Sequence, residues 1–297
     1  MTSAQPVLFV PHGAPTFALR PGAAGAALAA AARTLPRPRA IVIISAHWDT
    51  AMPTVGFAGR PDTIHDFWGF PEELYALRYP ATGCREAAQE VVAAIQAAGL
   101  PVQADPQHGL DHGAWIPLRL MFPDADVPVI PLSIQSQGGP AAAYRLGQAL
   151  APLAARNFLV IASGNITHNL GDFQRVGRNG GQTPAYVREF TDWIAGRLAA
   201  RDVTGLLDYR RQAPGAVQAH PTDEHLLPLY VALGAAGDPT KIQRFHAGID
   251  DYVIAMDAYA FLPDEAGQLA TDRPFESQPV VANEVQIQFR ITANAGE

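Results

Sequence analysis

Four apolar runs punctuate the chain: "VLFV" at 7–10, "AIVIISA" at 40–46, "VPVIPLSI" at 127–134 and "FLVIASG" at 158–164. Each is continuously apolar rather than alternating, the pattern of strands buried on both faces of a parallel sheet. Between them, helix-like segments fall within 22–34, at about 84–98 and at about 140–155. Further helices are expected at 183–200 and 222–235, followed by late strands in the alternating "KIQRFHAG" and "YVIAMDAYAF". This order predicts an α/β fold, a single domain with a largely parallel central sheet flanked by helices.

Composition narrows the function classes. At 297 residues and 48% hydrophobic, the chain can bury one large core. Its 21 basic and 28 acidic residues give a net charge of −7 with no basic cluster, which argues against nucleic acid or an anionic membrane as partner. No apolar run reaches the roughly 18 to 20 residues of a membrane span. The single cysteine, Cys84, and an N-terminus without a secretory pattern point to a reducing cytoplasm. Residues 1–261 are expected to form the domain. Residues 262–297 begin polar and end in the alternating "VQIQFRI", so they form either an edge strand or an arm on a neighbouring subunit of a homo-oligomer.

The chemistry gathers at the histidines. His12 in "FVPHGAP", His47 in "IISAHW" and His168 in "IASGNITHN" each follow an apolar run, and ligands of open α/β sheets bind outside the carboxyl ends of the strands. A metal site is therefore expected at that edge. In "HPTDEHLLPL", Thr222 is the expected N-cap, which places His225 in a first helical turn at the same face. His112, in "LDHGAWIPL", is expected in a loop just before a helix, and His65 in an aromatic loop, "TIHDFWGF". One histidine beside a strand is ordinarily a structural residue, the reading kept for His108, His220 and His246; joint placement at several strand ends favours ligation. Phosphate-loop, dinucleotide, zincin and serine-elbow motifs are absent from the sequence.

With "PHGAP", "SAHW", "TIHDFWGFP", "DHGAW", "GNITHNL" and "PTDEHLLPL" in this order, the chain resembles the DODA-type class III extradiol ring-cleavage dioxygenases from about residue 6 to 261. The resemblance implies a mononuclear metal, Fe(II) for oxygenase activity with Zn(II) as the alternative, held by His12, His47 and His225. His168 matches the family histidine beside the metal, either an acid/base group or a further ligand. His112 matches a catalytic or substrate-facing histidine. The wider superfamily uses two histidines and one carboxylate, which leaves Glu224 as an alternative third ligand. The implied reaction opens a catechol or aminophenol ring with O2 to a muconic semialdehyde-type product, with His65, Trp48 and Trp115 among the expected substrate contacts. A zinc hydrolase, or a non-catalytic metal-binding protein on the same fold, are the competing readings.

Overall fold

The computed structural model describes residues 4–178, 181–237, 241–263 and 269. In chain order its strands are β1 (Val7–Pro11), β2 (Ala40–Asp49), β3 (Thr54–Gly56), β4 (Gln103–Asp105), β5 (Val129–Ile134), β6 (Phe158–Gly164), β7 (Lys241–His246), β8 (Ile249–Asp250), β9 (Ile254–Ala255) and β10 (Ala258–Leu262). Eight form one sheet in the order β4-β3-β5-β2-β6-β1-β10-β7, while β8 and β9 pair separately. The four predicted runs are its centre, β5, β2, β6 and β1, all mutually parallel and almost wholly buried. Burial on both faces explains their unbroken apolar character. Antiparallel strands extend the sheet on either side, β10 and β7 beyond β1 and β3 beyond β5.

The late chain departs from expectation. "YVIAMDAYAF" is not one strand: Ile254–Ala255 turns back on Ile249–Asp250 through Asp251 and Tyr252, both at positive φ, and Ala258–Leu262 joins the main sheet. Asp257, fully buried between the two pieces, marks the break. Strands β3 and β4 went unpredicted because three residues show no period. The expected edge strand or arm at 262–297 lies outside the described residues except for Leu262, Pro263 and Leu269. Among described residues, no helix is long and apolar enough to cross a membrane.

Helices Gly22–Thr34, Arg85–Ala97 and Ala185–Ala199 form where helical periodicity placed them, and Gly139–Leu150 continues as a 3-10 turn over Ala151–Arg156. The helix expected from residue 222 starts only at Leu227. Thr222 is not its cap, because its hydroxyl donates to Glu224 Oε1, and Pro228 presets the true first turn. This helix, Leu227–Ala235, is buried throughout and crosses Gly139–Leu150 at very close range. A Cβ on Gly147 would sit 2.1 Å from the Val231 carbonyl oxygen, and one on Gly234 2.1 Å from that of Tyr144. Alanine at either position therefore forces the helices apart. Urea denaturation of Gly147→Ala or Gly234→Ala should show a loss of about 1–3 kcal/mol, the usual range for overpacking; wild-type stability in both would contradict the close crossing.

Candidate metal centre

Strand β6 lies between β1 and β2, and its register sets Ser163 beside both Val10 and Ser45. The chain leaves β1 at Pro11 to deliver His12 on one side of this strand end, and β2 delivers His47 on the other. The β2–β5 register breaks between Ile44 and Asp49, so His47 stands in the irregular end of the strand rather than beyond it. His225 arrives from the turn ahead of Leu227–Ala235, not from the helical turn expected. Its carbonyl accepts the Asn165 N–H at 2.9 Å. Gly164 permits this approach, since a Cβ there would lie 2.3 Å from the same oxygen.

Three imidazoles meet at this edge. His47 Nε2 is 3.2 Å from His12 Nε2 and 3.3 Å from His225 Nε2. The other nitrogen of each ring faces an oxygen. Ser163 Oγ donates its proton to the Gly113 carbonyl, so at 3.0 Å it accepts from His12 Nδ1. Glu224 Oε1 lies 3.2 Å from His225 Nδ1, and Asp66 Oδ2 lies 3.4 Å from His47 Nδ1. With the Nδ1 protons directed outwards, three Nε2 lone pairs face one another.

Lone pairs this close repel one another unless a cation lies among them. Protonation is disfavoured: burial, reinforced by neighbouring imidazoles, pushes His12 and His225 well below the ordinary histidine value. Burial and His112 likewise push His47 down to about 3 against the pull of Asp66. A set of neutral nitrogen donors, each with its other ring nitrogen facing an oxygen, fits a divalent transition metal. Glu224 meets His225 at its Nδ1 edge, whereas Nε2 of that ring faces His47.

Two further imidazoles border the three. The His168 ring stacks on His225 with centroids 3.4 Å apart and planes at 8°. Burial, then His112, lowers His168 to about 4, so it is neutral near pH 7. His112 is the first residue of helix His112–Met121, not part of a preceding loop as expected. Asp111 caps that helix by accepting the Ala114 N–H at 3.1 Å and also accepts the Ser45 hydroxyl at 2.5 Å. Burial raises Asp111 to about 6, opposed by the Ser45 hydrogen bond. The His112 ring centroid lies 3.9 Å from that of His47 and 5.5 Å from that of His12. Its Nδ1 is 2.9 Å from Asp66 Oδ2, and its backbone N–H donates to Asp66 Oδ1 at 2.8 Å. Burial opposes ionisation of Asp66, but the hydrogen bonds from His112 and the pull of the two imidazoles beside it prevail and hold it at about 2.

The expected substrate contacts sit farther back. Trp115, expected at the pocket wall, is fully buried instead, its indole N–H donating to the Ile64 carbonyl at 3.0 Å. Trp48 is buried and stacks on His108 at 3.7 Å. His65 Nε2 faces the Leu77 carbonyl at 3.1 Å, and its ring packs among Phe67, Tyr75 and Trp115. From this aromatic group Phe67 reaches the site, edge-on to His112 at 5.7 Å, while Trp68 is 86% exposed. His220 is a core residue whose Nε2 faces the Ile166 carbonyl at 2.7 Å. Sequence reasoning missed Asp66 and Ser163. Ser163 did carry a signal, as a hydroxyl in a buried apolar run that needs a partner; Asp66 carried none beyond its place after His65.

Comparison with known proteins gives the same direction. The family model described as the catalytic LigB subunit of aromatic ring-opening dioxygenase matches residues 24–255. The 4,5-DOPA dioxygenase extradiol of Beta vulgaris is 40% identical over 226 residues, 76% of this chain and 83% of that protein. The protein of the same name from Escherichia coli (strain K12) is 38% identical over 240 residues, 78% of this chain and 85% of that one. Among solved structures, an uncharacterized protein from Escherichia coli K12 matches with a TM-score of 0.71 at 30% identity, over 86% of this chain and 99% of that one. The chain therefore belongs to the LigB family as a DODA-type class III extradiol dioxygenase, a metal-dependent enzyme that opens small aromatic molecules with O2.

Proposed function

We propose that the ring opened is that of a catechol, cleaved beside its two oxygens to a muconic semialdehyde-type product, with Fe(II) held by Nε2 of His12, His47 and His225. The observation that carries this reading is the inward convergence of three Nε2 atoms whose Nδ1 edges are all occupied by oxygen acceptors. His12, His47 and His225 would hold the metal through Nε2, and Fe(II) there would supply the electron transfer that lets O2 react with a catecholate.

The chain's own residues handle substrate and protons. His168, neutral and fixed parallel to His225, accepts a catechol hydroxyl proton and returns it as the ring opens. His112 has Nδ1 committed to Asp66, which leaves Nε2 for the same task. Phe67 offers an apolar edge to the substrate ring beside His112. Trp48, His65 and Trp115 act one layer back, holding the loops that carry His47 and Phe67.

Oxygen uptake tests the reaction. Protein loaded anaerobically with Fe(II) and given catechols such as DOPA or protocatechuate should consume O2 and form a yellow product. No uptake across a panel of catechols and aminophenols at full Fe(II) occupancy would refute the proposal. Elemental analysis tests the ligands: His12→Ala, His47→Ala and His225→Ala should each lose metal, while Glu224→Ala keeps it with affinity lowered by no more than about 10–100-fold. Metal retained by His225→Ala would move the third ligand to Glu224. His168→Ala should keep its metal and lose about 10²–10⁴-fold in kcat, the range for removing a general acid/base; loss of metal would make it a ligand instead.

A further inference from the structure

The single carboxylate of Asp66 meets two site imidazoles that the proposed reaction uses differently, His47 for the metal and His112 for protons. Oδ1 accepts the His112 backbone N–H at 2.8 Å, and Oδ2 lies 2.9 Å from Nδ1 of His112 and 3.4 Å from Nδ1 of His47. The two rings so bridged are themselves in contact, with centroids 3.9 Å apart. The segment that carries Asp66 is anchored by packing, since Phe67 lies edge-on to His112 and to Phe70, and Phe67 also packs against Tyr75.

We propose that Asp66 is a positioning residue acting on two imidazoles at once: it fixes the Nδ1–H tautomer and ring orientation of both His47 and His112, leaving Nε2 as the free nitrogen of each. The inference rests on the reading of His47 as a metal ligand and joins metal holding to proton handling through a single side chain. Only a carboxylate serves both rings and the His112 backbone N–H together. An amide has one acceptor end and one donor end. With its oxygen toward the rings, the NH2 of an asparagine would oppose the His112 N–H, donor against donor. Turned round, the NH2 would face the ring nitrogens and favour the opposite tautomer.

Histidine 15N chemical shifts of the metal-free protein read the tautomers directly. His47 and His112 should both be Nδ1–H in the wild type, and at least one should shift toward Nε2–H in Asp66→Asn. In the same variant, Co(II) titration should show affinity weakened about 10–100-fold, as for loss of a carboxylate behind a metal-binding histidine. Its kcat at saturating Fe(II) and catechol should fall at least about tenfold, with the melting temperature of the metal-free protein close to wild type. An Nε2–H tautomer on either ring of the wild type would overturn the proposal even if Asp66→Asn fails to fold. Unchanged Co(II) affinity in Asp66→Asn, alongside loss of Co(II) in His47→Ala, would overturn it with the ligand reading intact. Wild-type Co(II) binding by His47→Ala would sink the ligand reading and this inference with it.

Discussion

Two neutral imidazole nitrogens, Nε2 of His12 and of His225, each within 3.3 Å of a third, Nε2 of His47, at a buried strand edge, form the constraint on which the rest of the site depends. Their lone pairs repel, and burial denies them the proton that would relieve the repulsion. The fold must therefore hold the rings against their own electrostatics. It does so from behind, with Ser163, Asp66 and Glu224 each facing an Nδ1 edge and so orienting the ring that carries it.

That arrangement follows from the parallel centre of the sheet. With β6 between β1 and β2, His12 and His47 are brought to either side of one strand end, where Ser163 is the hydroxyl between them. His225 is locked onto the same end because Asn165 donates to its carbonyl past Gly164. Behind it, helix Leu227–Ala235 is packed without slack against Gly139–Leu150, so the turn has a rigid base. Asp111 performs a parallel task on the other side, capping the helix that begins at His112 while accepting from Ser45 two residues before His47.

Much of this was legible in the chain itself. The four central strands announced themselves because burial on both faces demands unbroken apolar runs, and the histidines were informative because they follow those runs. Local signals failed where tertiary partners intervene. Thr222 has a capping residue's chemistry but spends its hydroxyl on Glu224, which leaves His225 in a turn instead of a helix. Trp115 sits in a motif beside His112, and nothing in the motif says which side of the helix its ring occupies. Asp66 and Ser163 gain their importance from the nitrogens opposite them, 19 and 151 positions away along the chain in sequence terms for His47 and His12. Periodicity does not encode pairings of that kind.

Anomalous diffraction at the iron edge, from crystals loaded with Fe(II) without oxygen, locates the ion relative to the three imidazoles. One peak bonded to Nε2 of His12, His47 and His225 is expected, with their Nδ1 edges still against Ser163, Asp66 and Glu224. A peak bonded to Glu224 in place of any of the three histidines, or no peak among them at full iron occupancy, would contradict the three-histidine site.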